Sequence, residues 1–208
     1  MRHPVQTWRS RHGRFVLVAP RRVVGGFDAT ANANVAFVCT AGGHGWRATP
    51  TAALHDPTAD PTDCFGEAVA VSGATAAVGD WCASSGRVYL YTKQTGGWST
   101  LPGTTLRPLP GPTRTLSEFG LALSMSGDTL FVGAPATDLE SGEAYLFRHG
   151  NTGSWPTVPN ASLPEPAATK DDRMGGSLAL SAGTAIVGAP GTPGGKPLVS
   201  GTAYLYSA

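Results

Sequence analysis

The side chains able to do chemistry in this chain are few and crowded. Ten of its 14 acidic residues fall in five stretches: Asp56, Asp60 and Asp63; Asp80; Glu118; Asp138 and Glu140; Glu165, Asp171 and Asp172. Two neighbouring carboxylates can divide general-acid and general-base or nucleophile work, as glycoside hydrolysis requires. Asp138 with Glu140, and Asp171 with Asp172, are the candidate pairs. No Gly-x-Ser-x-Gly elbow is present to mark a serine nucleophile. Asp56, Asp60 and Asp63 offer hard oxygens, but their spacing makes no EF-hand-like loop and two prolines stiffen it. The five histidines, His3, His12, His44, His55 and His149, form no pair at zinc spacing. No metal and no cofactor is therefore expected. Asp80 beside Trp81 places an acid next to an aromatic, a pairing suited to ligand contact.

Composition indicates what must position these groups. Charged residues make up only 14% of the chain, and 208 residues include 28 glycines and 17 prolines. Such a weakly charged, Gly-rich sequence favours a turn-dense all-β protein. Residues 1–22 carry six arginines and no acid, while the remainder holds nine basic against 14 acidic residues. The acidic body argues against a nucleic-acid surface. No stretch approaches the ~20 apolar residues of a membrane-spanning helix, and no signal peptide is visible.

The chain repeats. "FGEAVAVSGATAAVGD" (65–80), "FGLALSMSGDTLFVGA" (119–134) and "MGGSLALSAGTAIVGA" (174–189) align without a gap, at spacings of 54 and 55 residues. Each is followed by a second element: "GRVYLY" (86–91), "GEAYLF" (142–147) and "GTAYLY" (201–206). "GGW" (96–98) and "GSW" (153–155) supply a third, and upstream "NVAFVC" (34–39) and "HGW" (44–46) match the second and third. "RFVLVAP" (14–20) weakly matches "TLFVGAP". One period reads as four strands: a over 65–71, b over 75–79, c over 87–92, and d from Trp98 towards Leu106. Short Ser-Gly turns join a to b. A four-stranded antiparallel meander per period predicts propeller-like blades, about three to four of them, in an incomplete ring or open arc. The expected division is a basic segment, 1–33, with one degenerate strand, then the repeat array over 34–208. On this reading the chain opens near a strand b and stops after a strand c.

These residues resemble the FG-GAP repeat family, the blades of the integrin alpha-chain propeller, in a short bacterial-type form. Phe119, Gly120, Gly133, Ala134 and Pro135 carry the name motif, Tyr145 and Phe147 the strand-c signature, and Trp155 that of strand d. The first full copy departs with Gly79-Asp80-Trp81, and the third with Met174-Gly175. The family's calcium-binding repeats hold the ion in an acid-rich a–b loop, since calcium needs six to eight oxygens. Here those loops are Ser72-Gly73-Ala74, Ser126-Gly127-Asp128 and Ser181-Ala182-Gly183. A calcium role is not carried over, and Asp128 reads as a turn former.

Cys64 and Cys82 lie nine residues either side of Gly73. Symmetric hairpin positions face each other, so a Cys64–Cys82 disulfide is proposed, implying an oxidising compartment. Cys39 reads as a buried thiol. The b–c and d–a loops (80–86, 134–142, 189–200; 56–64, 107–118, 164–173) form one long-loop face, which in integrins is the ligand-facing end. The expected function is a non-enzymatic binding or adhesion scaffold, extracellular or at the cell surface. Its ligand, a protein or glycan, would be met through Asp80, Trp81, Asp138 and Glu140. The alternative is a glycan or ester hydrolase using the same loop carboxylates. No nucleic-acid partner and no membrane insertion are expected, and self-association could complete the propeller. Asn160-Ala161-Ser162 is an N-glycosylation sequon.

Overall fold

A computed structural model describes residues 15–18, 21–28, 33–42, 45–46, 49–58, 60, 63–110, 116–150, 153–166, 170–191 and 201–207. The basic head before residue 15, and with it His3 and His12, lies outside the described residues, as do His44 and the 192–200 part of one long loop.

Among the described residues, four antiparallel sheets follow one another along the chain. The first holds β1 (Phe15–Val18), β2 (Arg21–Asp28), β3 (Ala33–Gly42), β4 (Gly45–Trp46) and β5 (Ala52–His55). The second holds β6 (Val69–Ser72), β7 (Thr75–Asp80), β8 (Arg87–Gln94), β9 (Gly97–Trp98) and β10 (Thr104–Leu106). The third holds β11 (Ala122–Ser126), β12 (Thr129–Ala134), β13 (Glu143–Arg148) and β14 (Ala161–Pro164). The fourth has three described strands, β15 (Ser177–Ser181), β16 (Thr184–Ala189) and β17 (Thr202–Ser207). One helical turn, α1 (Thr137–Glu140), interrupts the b–c loop of the third sheet. The architecture is all-β and propeller-like, an open arc of blades whose first strands, β6, β11 and β15, run side by side.

The a–b hairpins form as expected. Ser72 pairs with Thr75, Ser126 with Thr129 and Ser181 with Thr184, which leaves two-residue turns. Gly73 and Gly127 take φ of 52° and 57°, the left-handed conformation such tight turns need. Three expectations are corrected. Strand a begins at Val69, not at residue 65, because Phe65–Ala68 is a turn: the Gly66 N–H reaches the Gly79 carbonyl and Gly66 has φ 88°. Strand d of the second sheet is broken between Trp98 and Thr104, where Thr100 instead accepts a bond from the His55 N–H of the first sheet. Residues 15–18 are a strand a, not a strand b, and β2 is the strand b. The boundary expected between 33 and 34 thus falls inside the first blade, and the described array starts on strand a.

Blades pack face to face by strict alternation. One face of the first blade (Val23, Ala36, Val38, Leu54) meets Val69, Val71, Val78, Tyr89 and Tyr91 of the second. The opposite face of the second (Ala70, Ala77, Val88, Leu90, Leu106) meets Leu130, Val132, Tyr145 and Phe147 of the third. Ala144 and Leu163 of the third meet Met174, Val187, Tyr204 and Tyr206 around the fourth. A glycine of each strand b lets the blades close. A Cβ on Gly25, Gly79 or Gly133 would overlap the carbonyl of Gly66, Gly120 or Gly175 of the next blade.

Candidate functional site

The long-loop face is held by three kinds of tie, one of which sits at each blade entry. Cys64 and Cys82 are joined by a disulfide, with Cα atoms 5.3 Å apart. In the later blades the same corner is closed by main-chain bonds from Ala136 N–H to Ser117 O (3.2 Å) and from Gly191 N–H to Asp172 O (2.9 Å), the acceptors lying one residue before the equivalents of Cys64. The third tie is ionic. Arg173 donates to Glu140 at 2.8 Å and to Glu118 at 2.5 Å, fastening the α1 turn to the entry of the third blade. Loops of adjacent blades also touch through main chain: Gly86 bridges Phe119, and Gly142 bridges Met174.

Among the described residues of these loops, seven non-glycine residues hold positive φ: Ser84, Leu116, Glu118, Asp138, Glu140, Asp171 and Arg173. Each such residue costs roughly 1–3 kcal/mol and persists only where its surroundings over-determine it. Leu116 and Asp171 stand at equivalent repeat positions, as do Glu118 and Arg173, so the repeat itself builds this conformation. Asp138 and Leu116 are exposed, the latter at 72%.

The expected binding residues separate into two groups. Asp138 and Glu140 lie together on α1, with Glu140 committed to Arg173. Asp80 and Trp81 belong to the second blade, and Asp80 is fully buried, at 0% exposure. It is the last residue of β7, on the same alternating face as Ala76 and Val78, so it points between blades. There Asp80 meets Arg87, its strand partner, at 3.3 Å, and Arg87 also approaches Asp63 at 3.7 Å. The Thr58 hydroxyl lies 2.7 Å from Asp56 and 2.9 Å from Asp63. Burial, first, and then Asp63 push the Asp80 carboxyl up from 3.8 to about 6, with Arg87 opposing them. Of the "DPTADPTD" acids, Asp63 thus shares the Arg87 guanidinium with Asp80. Trp81 points the other way and donates its indole N–H to Glu67 at 2.7 Å. Asp172 is buried while Asp171 is half-buried. Asp128 is exposed in its turn, its carbonyl accepting the His149 N–H at 2.8 Å.

A carboxylate also meets the strand-c tyrosine at the later junctions. Tyr145 donates to buried Glu143 at 2.6 Å, and Tyr204 donates to Glu165. Hydrogen bonding to Glu165, then burial, raises the Tyr204 phenol to about 12, while burial raises Tyr89 to about 12. Arg87, Glu143 and Arg173 are neighbours of the candidate site that the sequence reading passed over. The signal was there: "GRVYLY", "GEAYLF" and "GTAYLY" carry Arg, Glu and Thr at one repeat position.

At the opposite end, a cleft of about 290 Å³ opens between the first two blades, lined by Thr40, Ala41, Thr51, Lys93, Gly97 and Trp98. The equivalent Trp155 is buried and packs edge-on to His149 at 5.3 Å. Trp98 remains half-buried.

Open stacked blades, tight a–b hairpins and glycine-to-carbonyl blade joints define a propeller-like repeat array. The sequence model of the FG-GAP repeat matches residues 114–147, which span β11, β12 and most of β13. That stretch is an FG-GAP repeat. No curated protein matches the chain.

Proposed function

We propose that this chain is a non-enzymatic binding scaffold that meets a protein or glycan ligand through its long-loop face, in an extracellular or cell-surface setting. The observation that carries this reading is the pinned loop set. A disulfide, the Arg173–Glu118–Glu140 tie and main-chain bridges hold left-handed residues in place around exposed Asp138 and Leu116. Loops fixed before binding lose less entropy on binding, and variable loops on a rigid scaffold are where recognition usually sits. The Cys64–Cys82 bridge supports an oxidising compartment. Glu140, spent on Arg173, is poorly placed to share protons with Asp138. The partition of roles is then Trp81, Asp138 and the Glu140–Arg173 pair at the surface, with Asp80 as support beneath.

The test is binding to arrays of glycans and extracellular proteins. A hit should weaken with Asp138→Ala and Trp81→Ala, persist with Trp98→Ala at the other end, and show no turnover. Loss of binding with Trp98→Ala alone would move the site to the cleft. Hydrolysis of a glycan that Asp138→Ala abolishes would replace the binding reading with the enzymatic one.

A further inference from the structure

The joint between blades is used three times inside the chain and is presented once more at its far side. In each internal joint, a strand-b glycine faces the Phe-Gly or Met-Gly turn of the next blade, or the matching main chain, so tightly that no side chain fits. Gly25 receives Gly66, Gly79 receives Gly120 and Gly133 receives Gly175. Gly188 is the fourth member of this series. The three nearest atoms to a Cβ placed there all belong to Ser177 of its own blade. Where the internal joints place a neighbouring blade's carbonyl, Gly188 has the side chain of its own blade's Ser177 nearest.

The surrounding face repeats the same logic. Ile186 and Leu205 pair across β16 and β17 on the side of Gly188. Their equivalents in the second blade, Ala77 and Leu90, are 0% and 1% exposed, whereas Ile186 and Leu205 are 45% and 71% exposed. The first blade presents the complementary half. Val24 and Ala53 there are half-buried, while Val78, the equivalent of Val24, is 0% exposed under its neighbour.

We propose that this face binds a second copy of the chain, head to tail, with the Gly188 face of the fourth blade seated on the Val24 face of the partner's first blade. The joint would continue the interface already established between consecutive blades, with the same small-residue slot and the same apolar lining. A pair of copies joined at both faces leaves neither face open, which distinguishes a closed dimer from a growing fibre. The inference does not depend on what the long loops bind.

The experiment is sedimentation of the full chain across a concentration series. The expected result is a dimer. Gly188→Ala places a methyl in the slot, where it displaces only the Ser177 side chain, so the monomer should keep its melting curve while dimer dissociation rises about thirtyfold or more, the effect of losing a central interface contact. Leu205→Glu should act likewise, and decides the matter should Gly188→Ala fail to fold. Val24→Glu should also give monomers. Mixing Gly188→Ala with Val24→Glu should restore a one-jointed heterodimer, since each supplies the face the other lacks. A wild-type monomer at every concentration overturns the proposal. So does a dimer indifferent to Gly188→Ala and Leu205→Glu, or one that Val24→Glu leaves intact.

Discussion

Replacing Asp80 with Asn should stabilise the protein at neutral pH and leave it unchanged in acid. Asp80 has no exposed surface, and its carboxyl titrates at about 6 against 3.8 when unfolded, chiefly because burial disfavours its charge. Between those values the folded chain keeps a proton that the unfolded chain releases. Stability therefore falls as pH rises from 3.8 towards 6, and the loss is complete above that window. At about 1.36 kcal/mol per pH unit, the gap amounts to a ceiling of about 3 kcal/mol. Asn removes this penalty, and the attraction of Arg87 at 3.3 Å is already contained in the Asp80 titration, so its loss needs no separate subtraction. The gain above neutral pH is therefore up to about 3 kcal/mol.

The assay is urea denaturation of oxidised protein, followed by tryptophan fluorescence and circular dichroism from acid to mildly alkaline pH. The quantity to plot is the difference between variant and wild type, which cancels the titration of groups common to both. It should be near zero below pH 3.8 and rise to a plateau above the Asp80 titration at about 6. A variant less stable than wild type at pH 8 would refute the reasoning, because attraction to Arg87 would then outweigh desolvation. A flat difference across the window would refute it equally.

Other outcomes follow from the joints and ties. Gly133→Ala puts a Cβ against the Gly175 main chain, within 2.9 Å of its carbonyl carbon, where no rotamer gives relief. It should cost about 1–3 kcal/mol or more in urea midpoint, whereas Gly188→Ala should cost little. Reducing Cys64–Cys82, which closes a separation of 18 residues, should lower stability by about 3 kcal/mol. Hydrogen exchange should then show the loosening centred on residues 63–86 and spare the later blades. Tyr145→Phe removes the bond to buried Glu143 and should cost about 1–3 kcal/mol in thermal or urea melts, because a hydrogen bond to a buried charged group is lost.

The b hairpins could be read from sequence because three copies fix the register and the Ser-Gly turns leave only two residues free. The first blade could be misread because "RFVLVAP" imitates "TLFVGAP", while the true strand b, "RRVVGGFD", lacks Ala-Pro after its glycine. What identifies β2 is a contact distant in sequence: Gly25 lies under Gly66, as Gly79 lies under Gly120. Strand a starts late for a related reason. Phe65 and Gly66 look like strand residues but are used to cross onto the neighbouring blade, and period-two patterning does not show that. The break in strand d rests on Thr100 bonding to the preceding blade, which is again a tertiary choice.

The site was misjudged where it depended on a strand end. Ending strand b at Gly79 puts Asp80 in a loop, free to meet a ligand. Extending it by one residue gives Asp80 a strand partner, Arg87, and makes its direction a matter of parity with Ala76 and Val78. Trp81, one residue on, then points to the opposite side and finds Glu67. An acid and an aromatic adjacent in sequence thus have separate duties, one between blades and one at the rim. At the equivalent of Asp80 the later blades carry Ala134 and Ala189, so only the first joint spends a buried charge there. That charge has company: Arg87, Asp63 and the Thr58-bonded Asp56 lie around it, and the disulfide closes the same corner. The first joint is the one that departs most from the repeat, and its reinforcement by a covalent bond offsets an acid buried at the end of strand b, where the other joints carry alanine.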